Sequence, residues 1–199
     1  QRTGDHTITM GAGSRLIGVS LTESSLQTSE FVASALDNVE LRDVSITGAS
    51  PTTTAQNAIK ITGGDRIRII GGVVSDVRRA FSIEDPASNI LIDGVTFDAS
   101  AVTVAGCYFV EFIQTSTTTT WDARARVSNC LATQQDDTNN RGILVFCNAS
   151  GRIIKGIRIG PNNDFDGGGT TNNIAAVDIR PNSATYPATG IHVFDNRFF

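Results

Sequence analysis

Lysine and histidine are nearly missing from this sequence. Lys60 and Lys155 are its only lysines and His6 and His192 its only histidines, while arginine supplies the remaining basic residues. Charged residues reach only 18%, against 40% hydrophobic, so the chain is globular rather than disordered, with a surface built from Thr, Ser, Asn and Gly. The three cysteines, Cys107, Cys130 and Cys147, contain no Cys-x-x-Cys, which excludes the usual zinc spacings. Their odd number and the apolar neighbours of Cys107 and Cys147 point to reduced, buried residues and a reducing site of assembly. No run approaches the roughly 18 apolar residues of a membrane helix. No basic-then-apolar leader opens the chain, and its first residue, Gln1, suggests a processed or partial protein. A net charge of −4 argues against nucleic acid as a partner. The preference for arginine suits forked ion pairs or anionic ligands, with genome composition as the competing explanation.

What the chain does have is a repeat. A small residue followed by two apolar residues separated by one other occurs at Ala58-Ile59-Lys60-Ile61, Ala80-Phe81-Ser82-Ile83, Gly142-Ile143-Leu144-Val145 and Ala176-Val177-Asp178-Ile179. A weaker copy is Tyr108-Phe109-Val110-Glu111. Each copy is followed by a longer pattern, in which apolar alternation runs into Asp, Asn or Gly and resumes. It reads Val39-Glu40-Leu41-Arg42-Asp43-Val44-Ser45-Ile46, and Ile90-Leu91-Ile92-Asp93-Gly94-Val95-Thr96-Phe97. It returns from Ile157 to Phe165 and from Ile191 to Phe198.

Equivalent residues Ile59, Phe81, Phe109, Ile143 and Val177 are separated by 22, 28, 34 and 34 residues. A period of that size signals a solenoid, and the alternation has the two-residue period of strands. Three short strands per coil explain it. The first motif is one strand, and the second is two strands joined by a bend at Asp43, Gly94, Asn129, Asn163 or Asn196, residue types that tolerate left-handed backbone. Stacking then places Leu41, Ile69, Ile92, Val127, Ile159 and Val193 in one interior column and Ile46, Phe97, Phe165 and Phe198 in another. The expected fold is all-β: one right-handed parallel β-helix domain over 1–199, with about six coils and a less regular first coil within 1–30. The chain stops at Phe198-Phe199 in the middle of a motif, which suggests a fragment of a longer protein or a second chain covering that end.

The recurring coil over roughly residues 31–199 resembles the pectate-lyase-like superfamily of right-handed β-helices. Within it, the free cysteines, Thr- and Gly-rich loops and missing leader resemble a bacteriophage tailspike or tail-fibre protein. The resemblance implies a homotrimer in the virion tail that binds, and in many cases cleaves, host-surface polysaccharide. Secreted or bacterial-surface β-helices, with a purely structural role, are the alternative. The polygalacturonase-like motifs Asn-Thr-Asp, Gly-His-Gly and Arg-Ile-Lys are not matched. Asp136-Asp137 supplies an Asp-Asp, and Arg152-Ile153-Ile154-Lys155 only echoes the last motif.

Long loops at equivalent corners wall a lateral groove. The neighbouring loops 132–141 and 166–175 carry or adjoin Asp136, Asp137, Asp164 and Asp166. Paired carboxylates are the apparatus of glycoside hydrolysis, so these four are the candidate catalytic residues of a depolymerase. The same string is also good turn chemistry, and Asp164 with Asp166 offers a lesser Ca2+ site. No other cofactor is indicated. Glu84-Asp85 is a second acidic pair. Trp121 and Tyr186 fall in the loops 112–123 and 181–189, where exposed rings stack on sugars or fold back over the core. Arg126, Arg158 and His192 occupy equivalent places in three successive coils and complete the candidate glycan-binding set. Like charges there call for an anion between them: an acidic glycan, a carboxylate such as Asp178, or an adjacent subunit.

Overall fold

The computed structural model describes residues 7–22, 32–49, 57–102, 106–115, 120–134, 140–147, 152–166, 175–181 and 188–199. These residues form strands and turns and no helix, so none is present that is long and apolar enough to cross a membrane.

Three parallel sheets of seven strands each enclose the core. The first sheet stacks Ile8–Thr9, Val32–Ser34, Asn57–Ile61, Arg79–Glu84, Tyr108–Gln114, Arg141–Cys147 and Ala175–Arg180. The second stacks Arg15–Ile17, Glu40–Arg42, Asp65–Ile70, Ser88–Asp93, Thr120–Ser128, Ile153–Ile159 and Thr189–Val193. The third stacks Ser20–Thr22, Ser45–Thr47, Val73–Ser75, Thr96–Ala99, Leu131–Gln134, Asp164–Asp166 and Arg197–Phe198. The chain visits the three sheets in turn and climbs one rung per circuit. This is a parallel β-helix. Each sheet holds one strand more than the six coils expected, because the irregular stretch at 7–22 contributes all three strands of a rung.

The interior is built of columns. In the second sheet, Leu16, Leu41, Ile69, Ile92, Val127, Ile159 and Val193 are successive partners, as the alternation required. In the third, Leu21, Ile46, Val74, Phe97, Ala132, Phe165 and Phe198 pair in the same way. Neighbouring strands stand about 4.8 Å apart, so each inward side chain packs on those above and below it. A buried aliphatic or aromatic side chain contributes about 1.5–3 kcal/mol by leaving water.

Two registers differ from the sequence reading. In the first sheet the partner of Phe81 is Val110, not Phe109. Val110 and Phe112 flank Glu111 as the inward pair, and Phe109 takes the place held by Ala80 and Gly142 in the adjacent rungs. Its ring lies 5.5 Å from Phe81, edge-on, and 5.8 Å from Phe97, nearly parallel. In the next rung the equivalent residue is glycine because other groups crowd it: a Cβ on Gly142 would stand 2.5 Å from the Phe165 ring and 2.5 Å from the Ala176 carbonyl oxygen.

The second difference is at the bend between the second and third sheets. Asp43, Gly94 and Asn129 have the positive φ expected of them, but in the last two rungs it falls at Asn162 and Asp195 rather than Asn163 and Asn196. The latter two amides instead satisfy backbone groups inside the bend. Asn163 accepts from the Cys130 N–H at 3.0 Å and donates to the Val127 carbonyl at 3.0 Å and to Asn196 Oδ1 at 2.9 Å. Asn196 donates to the Ile159 carbonyl at 3.0 Å. The three cysteines are free and buried, and burial pushes the Cys130 thiol up to about 12.

Candidate functional site

The outer face of the second sheet gathers the unsatisfied charge. Its main outward column, rung by rung, is Arg15, Glu40, Arg68, Leu91, Arg126, Arg158 and His192. The alternation that buries Leu41 or Val127 turns these neighbours outward. Arg126, Arg158 and His192 are therefore in register on three consecutive rungs, and all are exposed. Among the described residues the side chains of these three make no ion pair or hydrogen bond. Nearby cations do have partners: Asp122 lies 3.3 Å from Arg124 and 4.0 Å from Lys155. A hollow of about 380 Å³ is lined by Arg124, Arg126, Gly156, Arg158 and His192. A second, of about 500 Å³, adjoins it at Arg158, His192 and Phe194. Higher on the same face, Arg15, Glu40, Arg66 and Arg68 line a hollow of about 230 Å³. There Glu40 takes up part of the positive charge, and its hydrogen bond from Arg42, 3.0 Å, holds its carboxyl below the ordinary range.

One residue at each rung's entry to this face sets its shape. Two positions before each member of the outward column stands a residue with positive φ: Gly13, Asn38, Arg66, Asn89, Arg124, Gly156 and Gly190. The column of left-handed corners turns the chain sharply out of the first sheet and keeps the adjacent surface low where glycine occupies it.

The remaining sequence candidates that the structure describes are dispersed. Asp136, Asp137 and Tyr186 lie outside the described residues. Asp164 and Asp166 face outward from the third sheet on either side of buried Phe165. Arg197 of the next rung clasps Asp164 with both nitrogens at 2.6 Å, so that carboxylate serves as a rung-to-rung ion pair. No group of three or more His, Cys, Asp or Glu side chains able to hold a metal occurs among the described residues. Trp121 corrects the loop reading: it lies in a strand, 2% exposed, stacked in the interior. Its Nε1 donates to the Ala87 carbonyl at 2.6 Å, and its ring lies 6.3 Å from Phe112. It presents no face to a sugar. Asp178 is likewise withdrawn from the arginine column, because it belongs to the first sheet and receives Arg141 and Arg180, each at 2.7 Å.

The outer face of the first sheet carries a cluster that the sequence reading passed over. Lys60, Ser82, Glu111, Leu144 and Asp178 form one outward column. Lys60 pairs with Glu84 at 3.2 Å, and Arg79 lies 3.5 Å from Glu111 and over the Tyr108 ring. Glu111 is 7% exposed, and burial raises its carboxyl above the usual value despite Arg79. Burial acts on Asp178 in the same direction, but hydrogen bonds from Arg180 and Arg141 outweigh it and leave that carboxyl lowered. A one-residue slip at Phe109 would turn Glu111 inward, so the cluster depends on this register.

Comparison with protein-family models and with curated proteins finds no match to this chain, so the parallel β-helix and the chemistry of its faces carry the functional argument.

Proposed function

We propose that this β-helix is a host-surface recognition element of the phage-tail type, a tailspike or tail-fibre segment that binds an acidic glycan along the outer face of its second sheet. The observation that carries the reading is the column Arg126, Arg158 and His192, three basic side chains on successive rungs with no carboxylate partner among the described residues. Arginines stacked about 4.8 Å apart repel, and a ligand with regularly spaced carboxylates or sulfates relieves that repulsion. Arginine's planar fork matches such groups. A solenoid suits the task because its rungs repeat at a constant spacing, as a polysaccharide's sugars do. Assembly as a homotrimer on a virion tail belongs to the same reading.

Titration of polygalacturonate and heparin, with dextran as the neutral control, tests it. Binding of an acidic polymer that weakens with salt and drops at least tenfold in R126A/R158A supports the reading. Unchanged affinity in that variant removes it.

Glycan cleavage is a second reading, favoured by the opposed environments of Glu111 and Asp178 in one outward column. A carboxyl raised by burial, two rungs from one lowered by arginine hydrogen bonds, offers the separate acid and carboxylate roles that hydrolysis of a glycosidic bond uses. Release of new reducing ends from an acidic polysaccharide, lost in both E111Q and D178N, supports it. Absence of release leaves the binding element alone.

A further inference from the structure

We infer that Arg66 and Arg124 are ligand-contacting residues, and that the ligand is a linear polyanion lying parallel to the solenoid axis across both. This rests on the binding reading above and extends it to a second set of arginines two rungs away.

Among the described residues nine non-glycine residues have positive φ: Asn38, Asp43, Arg66, Asp76, Asn89, Arg124, Asn129, Asn162 and Asp195. Seven are Asn or Asp, whose short polar side chains tolerate the left-handed region. The exceptions are Arg66, φ 61°, and Arg124, φ 45°. Both fall in the same column of corners, where the other five rungs have Gly13, Asn38, Asn89, Gly156 and Gly190. Nothing local rewards arginine there. Arg66 lies 3.6 Å from the carboxylate of its own neighbour Asp65, and Arg124 lies 3.3 Å from Asp122, with the arginine side chains 63% and 65% exposed. Ion pairs so exposed contribute little. Asp65 is in any case held by Ser88 and Asn89.

Each strained arginine sits where a charge is useful. Arg66 lines a hollow with Arg15, Glu40 and Arg68, where one carboxylate, 3.9 Å from Arg68, faces three arginines, and Arg124 lines one with Arg126 and Arg158. The rung between them presents uncharged Asn89 and Leu91. The two triads therefore stand on one straight face about two strand spacings, or ~10 Å, apart. One extended anionic chain meets both without leaving the face. Strained non-glycine residues persist where a side chain is needed for function.

The test measures binding and folding together. Polygalacturonate and heparin are titrated into the parent, R66G, R124G and the double variant, and each protein is melted. The expected result is an affinity at least threefold weaker in each single variant, a weaker salt dependence, and a melting temperature equal to or above the parent's. Parental affinity in both glycine variants overturns the inference. So does a loss of affinity accompanied by a lower melting temperature, because the arginines would then be holding the corner. If R126A/R158A loses binding while the glycine variants keep it, the inference fails and the binding reading stands. A parent that binds neither polymer overturns both. Tighter binding of a single-stranded oligonucleotide than of either polysaccharide assigns the face to nucleic acid and overturns the inference.

Discussion

Arg158 lies directly beside Arg126 on the adjacent parallel strand, and the two guanidinium groups share no carboxylate among the described residues. At about 5 Å in water two like charges cost about 1 kcal/mol, and salt screens most of it. Arg158→Gln is therefore expected to raise the melting temperature at low salt. The gain is expected to shrink when 1 M NaCl is added. A variant that melts below the parent at low salt would show that Arg158 is a stabilising residue instead. On the binding proposal, the same repulsion is tolerated in the free protein and relieved by the ligand.

Gly142 sits where two rungs of the core leave no room for a side chain. An added methyl would meet the Phe165 ring and the Ala176 carbonyl oxygen, each at 2.5 Å. The carbonyl belongs to the next rung's backbone and has little room to move. Gly142→Ala is expected to cost about 1–3 kcal/mol, the usual range for overpacking a filled core. Urea unfolding checks this, and an unchanged midpoint would mean that the Phe109, Gly142 and Phe165 layer is loosely packed.

Glu111 and Asp178 should give opposite dependence of stability on pH. Burial raises the Glu111 carboxyl, so its contribution is full below its ordinary value of 4.5 and is lost as pH rises through the folded value. Hydrogen bonds from Arg180 and Arg141 outweigh burial at Asp178, so its contribution is full above 3.8 and is lost as pH falls through the folded value. The melting-temperature difference between parent and E111Q should shrink from pH 4 to pH 7, and that between parent and D178N should shrink from pH 5 to pH 2. Parallel trends in the two series would refute the assigned environments.

Trp121 is the sole tryptophan and a convenient reporter. Enclosed beside Phe112 and bonded to the Ala87 carbonyl, it should emit at short wavelength and resist acrylamide quenching. Adding polygalacturonate or heparin should leave its emission unmoved. A clear shift on binding would place the ligand against the first-to-second sheet corner rather than on the arginine column. Trp121→Ala removes a buried ring and is expected to cost about 3–5 kcal/mol.

Ile92 and Val127 show why so much of the fold was legible. They are 35 residues apart in sequence and direct partners in the second sheet. Both could be placed because each is the second of two inward apolar residues, Ile90 and Ile92 or Ala125 and Val127, that lead into Gly94 or Asn129. The column of Arg126, Arg158 and His192 was legible for the same reason, as the outward half of that alternation. Trp121 was misplaced because the inward residues that follow it, Ala123 and Ala125, carry only a weak apolar signal, and a register irregularity lies between Asp122 and Ala125. Glu111 was missed because Phe109 and Val110 are both apolar, and local pattern cannot decide which of two adjacent apolar residues faces the core.

The amino-acid sequence by itself determined the winding: three short strands per rung, the interior columns of the second and third sheets, and left-handed bends at Asp43, Gly94 and Asn129. These follow from properties each residue carries locally, namely apolar alternation and tolerance of positive φ. Only the tertiary structure decided that Val110 rather than Phe109 pairs with Phe81, that Asn163 turns inward to bond Cys130 and Val127, that Asp178 pairs with Arg141, and that Arg66 and Arg124 occupy left-handed corners. Each of these is a choice between positions one residue apart or between rival partners. Contacts from the rungs above and below make that choice, and they exist only once the chain has wound.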